Sequence, residues 1–277
     1  MRRKRNFTTI LVTLLLMCFL VIYLLPLVLM VTNSFKSYSQ VMLNALSLPK
    51  VFSFDNFKKV FETMDYPKAF INTFIITLIG VFGIIIIGSM AGYKLARTKT
   101  KLSKYVFLFC IMPMMIPFQS FMITLVQVSK QMHLTNSVLG ITVVYWGLGA
   151  PMAIFLYQGF AKSIPLELEE AAIIDGCNQF QLFTRIIFPL LKSVTAAVIV
   201  VNAMWVWNDF LLPLLVLGTD KKNQTLQLAA YSFMGQYKME WQNIMAAAIL
   251  IIIPALIIYL IFQKHIIKGM IAGAVKG

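Results

Sequence analysis

Long stretches without charge constrain this sequence more than any other feature. Residues 6–35, 69–93, 105–129, 131–161 and 241–263 contain no Lys, Arg, Asp or Glu, and Asp209 is the single exception in residues 193–219. A helix needs about 20 apolar residues to cross the hydrocarbon core of a bilayer. The sequence therefore predicts an all-α membrane protein, a single transmembrane domain over residues 1–277, with spans at about 7–31, 69–93, 105–127, 138–160, 190–217 and 243–264.

Basic residues predict how these spans are oriented. The densest cluster, in residues 94–104, comprises Lys94, Arg97, Lys99, Lys101 and Lys104. Lys and Arg concentrate in the cytoplasmic connections of membrane proteins, so we expect both termini to be cytoplasmic, in a multi-pass protein of a bacterial-type plasma membrane. The net charge of +14 sits at the ends of apolar runs, which favours membrane orientation over nucleic-acid binding.

The first predicted outer connection has a helical pattern of its own. Apolar residues recur there at intervals of three and four, and charged residues take the opposite face; the apolar residues are Phe54, Phe57, Val60, Phe61 and Met64. This pattern predicts an amphipathic outer helix. It would lie flat at the membrane interface or pack across the helix bundle.

The connection 161–189 is longer than a turn between two spans requires. Pro165 suits the first turn of a helix, and the acidic residues Glu167, Glu169 and Glu170 suit its positive N-terminus. Asp175-Gly176 predicts the end of that helix, since glycine adopts the left-handed conformation at little cost. A second short helix then runs to Pro189, so the segment is expected to form a helix-turn-helix along the inner membrane face.

This helix-turn-helix has the composition of a docking element. Ala171 and Ala172 give a close-approach surface beside Glu170, flanked by Ile174, Phe183 and Ile187, which suits the groove of another protein. The alternative is a helix resting on lipid headgroups, although an anionic leaflet would repel its acidic residues.

The same residues carry a resemblance to a known family. Glu170-Ala171-Ala172, Asp175-Gly176, Phe183, Ile186 and Pro189 resemble the loop signature of ATP-binding-cassette (ABC) importer permeases. The chain as a whole is similar to the maltose-type permeases of the sugar-uptake branch. Supporting matches are Asn56-Phe57-Lys58, Trp207-Asn208-Asp209-Phe210 and the Gly-rich stretch 269–277.

The resemblance implies a transport subunit rather than an enzyme. Such a permease would form half of a translocation pathway for a carbohydrate, with an oligosaccharide expected. Its implied partners are a homologous second permease, two ATPase subunits that hold ATP and Mg²⁺, and an extracytoplasmic sugar-binding protein. No cofactor is expected in this chain, which lacks a G-x-x-x-x-G-K-S/T phosphate loop.

Two sets of residues are expected to contact the ATPase. The coupling set in the loop is Glu170, Ala171, Ala172, Asp175, Gly176, Phe183 and Pro189. The second set is in the small-residue tail and comprises Gly273, Lys276 and Gly277, for which a frayed terminus is the alternative.

A further candidate site lies in the fifth predicted span. Trp205, Trp207, Asn208 and Asp209 combine stacking surface with hydrogen-bonding groups, the mixture that a sugar needs. An ionisable residue within a span tends to face a bundle interior or a wet cavity. Asp209 would line the pathway, cap a broken helix or pair with the partner subunit.

Other classes of protein fit the sequence less well. An ABC permease for a non-sugar solute is the nearest alternative. A secondary transporter would need several coupling-ion residues. Asp209 is the only carboxylate in the predicted spans. An intramembrane enzyme would need a nucleophile and base or a metal centre, and the isolated His133 and His265 predict no metal site.

Overall fold

Most of the described part of the chain is helical. The computed structural model describes the backbone of residues 2–235 and 239–274 and the side chains of 7–235, 239–257 and 260. No strand forms in these ranges, where an isolated bridge joins Met234 to Met239. The helices are α1 (Arg2–Ser34), α2 (Tyr38–Leu43), α3 (Asp55–Thr63), α4 (Tyr66–Arg97), α5 (Lys101–Ile111), α6 (Met122–Gln131), α7 (Val138–Ala161), α8 (Glu167–Ile174), α9 (Gln179–Leu190), α10 (Lys192–Asn208), α11 (Leu211–Leu217), α12 (Leu226–Ala230) and α13 (Trp241–Ala274).

Several of these helices are long and apolar enough to cross a membrane. By length and composition they are Phe7–Ser34, Tyr66–Arg97 and Val138–Ala161. Helices α9 and α10 meet the same criterion together, with a bend of 75° between them. The all-α membrane class is therefore confirmed, and the count of six spans stays a prediction.

Proline divides the predicted span 105–127. Helix α5 ends at Ile111, and two 3₁₀ segments, Met112–Met115 and Phe118–Ser120, precede α6. Proline has no N–H and its ring clashes with the preceding turn. Ile116, the residue before Pro117, accordingly has extended torsion angles of −96° and 122°. The predicted span is thus two helices around an irregular centre.

The structure divides into two compact units, and the first comprises residues 1–66 and 229–256. A buried cation organises the chain after α1: the Lys36 ammonium donates to Asn33 Oδ1 at 2.8 Å and to the carbonyls of Asn44 and Ala45 at 3.2 and 3.0 Å. The Asn56 amide donates to the carbonyls of Ser34 and Lys36 at 2.7 and 2.8 Å. Helix α3 is therefore tied to the end of α1.

Helix α3 has the amphipathic character that the sequence predicts. Val60 and Met64 are buried, whereas Phe54 and Phe61 are exposed. The Phe54 and Phe57 rings also contact Phe35, with centroids 5.2 and 5.1 Å apart. One part of the apolar face packs within this unit and another part remains exposed, so the interfacial and the bundle alternatives both stay predictions.

The second unit comprises residues 67–228 and 257–277, and its core lies along α4 and α7. Glycine permits this close packing: a Cβ at Gly92 would lie 2.7 Å from Tyr157 Cβ and 2.9 Å from the Gln158 nitrogen. Small residues four apart allow helix backbones to approach in membranes, and Gly88 faces Ala153 in the same way. This helix pair is the scaffold on which α8 and α9 rest.

Candidate functional site

The predicted helix-turn-helix is present between α7 and α10. Helix α8 begins at Glu167, with the three glutamates in its first turn, where the partial positive charge of the helix N-terminus stabilises them. Helix α9 begins after Asn178, whose side chain accepts from the Gln181 N–H at 2.9 Å while Gln181 Oε1 accepts from the Asn178 N–H at 3.0 Å. Both helices thus have local sequence signals at their starts.

Gly176 ends α8 in the way the sequence predicts. Its φ of +84° is in the left-handed region. The Cys177 N–H donates to the Ala172 carbonyl at 3.0 Å, and the Gly176 N–H donates to the Ile173 carbonyl at 3.0 Å, the paired bonds of a Schellman motif. No atom lies within 4 Å of a Cβ built at Gly176. The backbone angle, rather than crowding, is therefore what requires glycine.

Helix α9 departs from regular geometry before it meets α10. Residues Leu182–Ile187 form a π-helical turn, and the Phe188 N–H donates to the Phe183 carbonyl. Pro189, which is exposed, follows directly and cannot donate a backbone hydrogen bond. The 75° bend into α10 comes just after this irregular turn, so the loop meets the next apolar helix at a steep angle.

An ion pair fastens α8 to the end of α4. Arg97 Nε donates to Glu169 Oε1 at 2.5 Å, and the Tyr93 hydroxyl donates to Glu169 Oε2 at 2.8 Å. Arg97 Nη2 also donates to the Ile164 carbonyl at 2.9 Å. The side chains of Arg97 and Glu169 are only 15% and 10% exposed, so solvent screens the pair weakly. Both carboxylate oxygens are occupied within the fold.

Burial divides the predicted coupling residues into two groups. Glu170, Ala171, Asp175 and Gly176 are exposed, whereas Ala172 is buried in the core beside Leu182 and Ile187. Phe183 is half-buried, with its ring 5.6 Å from that of Tyr93 and 6.0 Å from that of Phe188. The predicted docking surface is therefore corrected to exclude Ala172 and Ile187. These two residues lie on the inward faces of α8 and α9 and pack in the core.

Helices α8 and α9 also carry exposed apolar side chains. Ile174 is 85% exposed and Phe180 is 71% exposed, and Ile173 is also exposed. Together with Glu170 they form what we call the loop surface. Glu170 has no ion pair within the described side chains. A carboxylate among exposed apolar groups suits a partner that offers a cation in an apolar groove.

The second candidate site surrounds the break between α10 and α11. Asp209 Oδ1 accepts from the N–H groups of Leu211 and Leu212 at 3.1 and 3.4 Å. Asp209 Oδ2 accepts from the Tyr145 hydroxyl at 2.9 Å. The carboxylate thus caps the start of α11, which supports the cap interpretation of Asp209.

Two of the four candidate pathway residues line a cavity. The cavity measures about 300 Å³, and Trp205 and Asp209 are in its wall with apolar residues that include Phe118 and Leu148. The Trp205 ring lies edge-on to Tyr145 with centroids 5.4 Å apart. Trp207 is instead buried against Phe70 at 6.0 Å. Asn208 is exposed and its amide donates to the Met204 carbonyl, so neither residue lines this cavity.

Lys276 and Gly277 lie outside the described residues, and Gly273 falls in the last turns of α13. In the side chains that the structure describes, no group of three His, Cys, Asp or Glu is arranged to hold a metal ion.

Comparison with known proteins identifies the family. Residues 84–272 match the family described as "Binding-protein-dependent transport system inner membrane component". The chain belongs to this family. The matched region contains α8, α9, the Arg97–Glu169 pair and the Asp209 break. The protein is therefore a permease component of an ABC transport system, a transport subunit rather than an enzyme.

Curated relatives match the permease over almost its whole length. It is 40% identical over 256 residues to the probable starch degradation products transport system permease AmyC of Thermoanaerobacterium thermosulfurigenes, covering 92% of each chain. It is 35% identical over 278 residues to the melibiose/raffinose/stachyose import permease MelC of Bacillus subtilis, covering 100% of both. It also shares a fold, with a TM-score of 0.80 and 22% identity, with a chain of a bacterial ABC transporter that imports alginate; the match covers 95% of this chain and 97% of that one.

The Arg97–Glu169 pair is the feature of the permease that sequence reasoning missed. In the sequence, Arg97 is one of five basic residues that predict orientation, and Glu169 is one of three neighbouring glutamates. Glu169 and Ala172 are three residues apart and share the buried face of α8, but the sequence alone does not show that this face is the buried one. An acidic residue on a buried face predicts a basic partner, but not which one.

Proposed function

We propose that this permease imports an oligosaccharide, together with a homologous second permease, two ATPase subunits and an extracytoplasmic sugar-binding protein. The observation that carries the substrate class is the similarity over nearly the full length to permeases named for starch degradation products and for melibiose, raffinose and stachyose. ATP and Mg²⁺ would be bound by the ATPase subunits, and no cofactor by this chain. Both termini are assigned to the cytoplasm because the basic cluster at residues 94–104 marks that side.

The loop surface is proposed to receive the ATPase. Glu170 would pair with a cation of the ATPase groove, and Ile174 and Phe180 would enter its apolar part. The Schellman turn at Gly176 fixes the angle between the two helices, and the Arg97–Glu169 pair anchors α8 to α4. Motion of the ATPase would therefore reach the long helix α4 directly. A contact can shift a conformational equilibrium only if it differs between the two states.

The 300 Å³ cavity is proposed to border the sugar pathway. Its Trp205 offers an aromatic face, and Asp209 offers a carboxylate whose cap role keeps it oriented. Leu148 and Phe118 make the remaining wall largely apolar. A cavity of this size is at the small end of ligand sites, and the second permease would supply the other half of the pathway.

The substrate proposal is tested by uptake in a strain that lacks only this permease. We expect uptake of one class of labelled oligosaccharide to be lost, while uptake of free amino acids and phosphate continues. Restoring the gene should restore uptake. Unchanged oligosaccharide uptake together with loss of amino acid or phosphate uptake would assign the permease to another solute.

The docking proposal is tested with two apolar surface positions of equal chemistry. Ile174→Ser removes part of the loop surface, and Leu43→Ser is the matched control because Leu43 is similarly exposed, at 87%, on the predicted outer side. We expect Ile174→Ser to weaken ATPase binding by roughly tenfold, as burial of one aliphatic side chain implies. Equal ATPase binding by the two variants would contradict the docking role.

A further inference from the structure

A second cavity of about 440 Å³ lies where α4 ends, α5 begins and α7 ends. Lys99, Lys104 and Lys162 line it, and the apolar residues Phe107 and Leu108 form another part of its wall. This basic cavity is separate from the loop surface and from the cavity beside Asp209.

The three lysines of the basic cavity lack acidic partners. Within the described side chains, the ion pairs are Arg97–Glu169 and Lys59–Glu240, and neither involves a residue of this cavity. All three lysines are exposed, so solvent screens part of their mutual repulsion, and an anion bound between them would lower it further. The charge pattern therefore favours an anionic occupant.

Gln158 adds a hydrogen-bonding side chain to the basic cavity. It lines the basic cavity and is only 8% exposed. Its backbone carbonyl accepts from the Lys162 N–H, but its side-chain amide has no hydrogen bond in the part of the chain that the structure describes. Its amide oxygen and nitrogen are not among the fully buried side-chain atoms. They are therefore accessible from the cavity, where the amide can donate to a ligand oxygen.

The surroundings of the cavity distinguish a lipid from a soluble anion. Leu108 lies in the cavity wall and is 45% exposed, and Leu102, Tyr105 and Phe109 are also exposed along α5. A headgroup phosphate among the lysines would leave its acyl chains beside this apolar face. Basic pockets between transmembrane helices bind anionic headgroups in this arrangement.

We propose that the basic cavity binds the headgroup of an anionic phospholipid. Lys99, Lys104 and Lys162 supply the charge, and the Gln158 amide donates to the phosphate or glycerol oxygens. The lipid would bridge α4, α5 and α7 at the end of α4 that carries Arg97. This inference concerns a lipid site and does not depend on which solute the permease transports.

The test uses the assembled transporter in nanodiscs of equal phosphatidylcholine and phosphatidylglycerol, with retained lipid counted by native mass spectrometry. The cavity variant is Lys99→Gln/Lys104→Gln/Lys162→Gln. The matched control is Lys94→Gln/Lys101→Gln/Lys192→Gln, which removes the same charge from exposed positions of the same predicted face outside the cavity. We expect the cavity variant to lose the preference for phosphatidylglycerol by at least about tenfold and the control to keep it.

Further measurements distinguish a bound lipid from a soluble phosphate. They also test the proposal with single variants in case the triple variant does not assemble. Gln158→Leu and the single variant Lys162→Gln should each reduce the preference by about threefold, whether or not the triple variant assembles. Millimolar sn-glycerol 3-phosphate should leave the retained lipid in place. Equal loss in both triple variants, displacement by glycerol phosphate, or weaker ATPase binding at unchanged lipid preference would each overturn the proposal.

Discussion

Replacing Glu169 by glutamine tests how the loop is held on the permease. Glutamine keeps the shape of the side chain and one acceptor oxygen for Arg97 Nε, and its amide can donate to the Tyr93 hydroxyl, which can rotate to accept. The substitution therefore removes the negative charge and leaves the number of hydrogen bonds unchanged. Arg97 also keeps its bond to the Ile164 carbonyl.

The free-energy cost of Glu169→Gln depends on the burial of the Arg97–Glu169 pair. Hydrogen bonds to charged groups contribute about 1.5–3 kcal/mol, whereas removal of one whole partner from a buried ion pair costs about 3–5 kcal/mol. The side chains here are 10% and 15% exposed, so screening lowers the value only slightly, and we expect Glu169→Gln to cost about 2 kcal/mol. Since about 1.4 kcal/mol corresponds to tenfold in an equilibrium constant, α8 should detach from α4 roughly 30-fold more often.

Hydrogen exchange of the assembled transporter in nanodiscs measures this detachment directly. Amides of residues 169–175 should exchange roughly 30-fold faster in Glu169→Gln than in the wild type, since local opening governs the exchange of hydrogen-bonded amides. Glu170→Gln is the control, because it removes the same charge from the exposed neighbour and should leave exchange unchanged. Arg97→Gln combined with Glu169→Gln should cost less than the sum of the two single changes. Additive effects, or equal exchange in Glu169→Gln and Glu170→Gln, would refute the anchoring role.

Gly176→Val should slow uptake and substrate-stimulated ATP hydrolysis while the chain still inserts, and Gly176→Asn should retain both because asparagine tolerates the left-handed region; equal activity in the two variants would contradict this. Asp209→Ala should lower the free energy of unfolding of the complex by about 1–2 kcal/mol through loss of the helix cap. Asp209→Asn should keep the cap and the stability. A loss of uptake by Asp209→Asn at full stability would instead favour direct contact with the solute. A cysteine at Lys50 should react with a membrane-impermeant thiol reagent added outside and one at Thr100 should not, and the reverse pattern would invert the orientation. Deletion of residues 273–277 should weaken the substrate-stimulated ATP hydrolysis of the complex, because the tail is expected to contact the ATPase. Normal assembly, ATP hydrolysis and uptake would show that the tail makes no such contact.

The sequence determined the class of the protein because long charge-free runs have few physical solutions. Backbone groups in a bilayer must be satisfied internally, so such runs form helices, and the runs are visible without any structure. The end of α8 at Gly176 was predictable in the same way, since a helix end depends on neighbouring residues. The loop motif was contiguous, and the family followed from it.

Only the tertiary structure determined which face of each helix is exposed, which is buried and which distant residue it contacts. Ala171 and Ala172 are adjacent in the sequence, yet one is exposed and the other packs beside Leu182 and Ile187. The orientation of α8 that separates them is fixed by Arg97, which lies 72 residues away from Glu169 in the chain. Likewise, the capping role of Asp209 depended on a break that brings its carboxylate to the start of α11 and to Tyr145. Such contacts join residues distant in the chain through packing, and no local pattern in one sequence encodes which distant residue will be the partner.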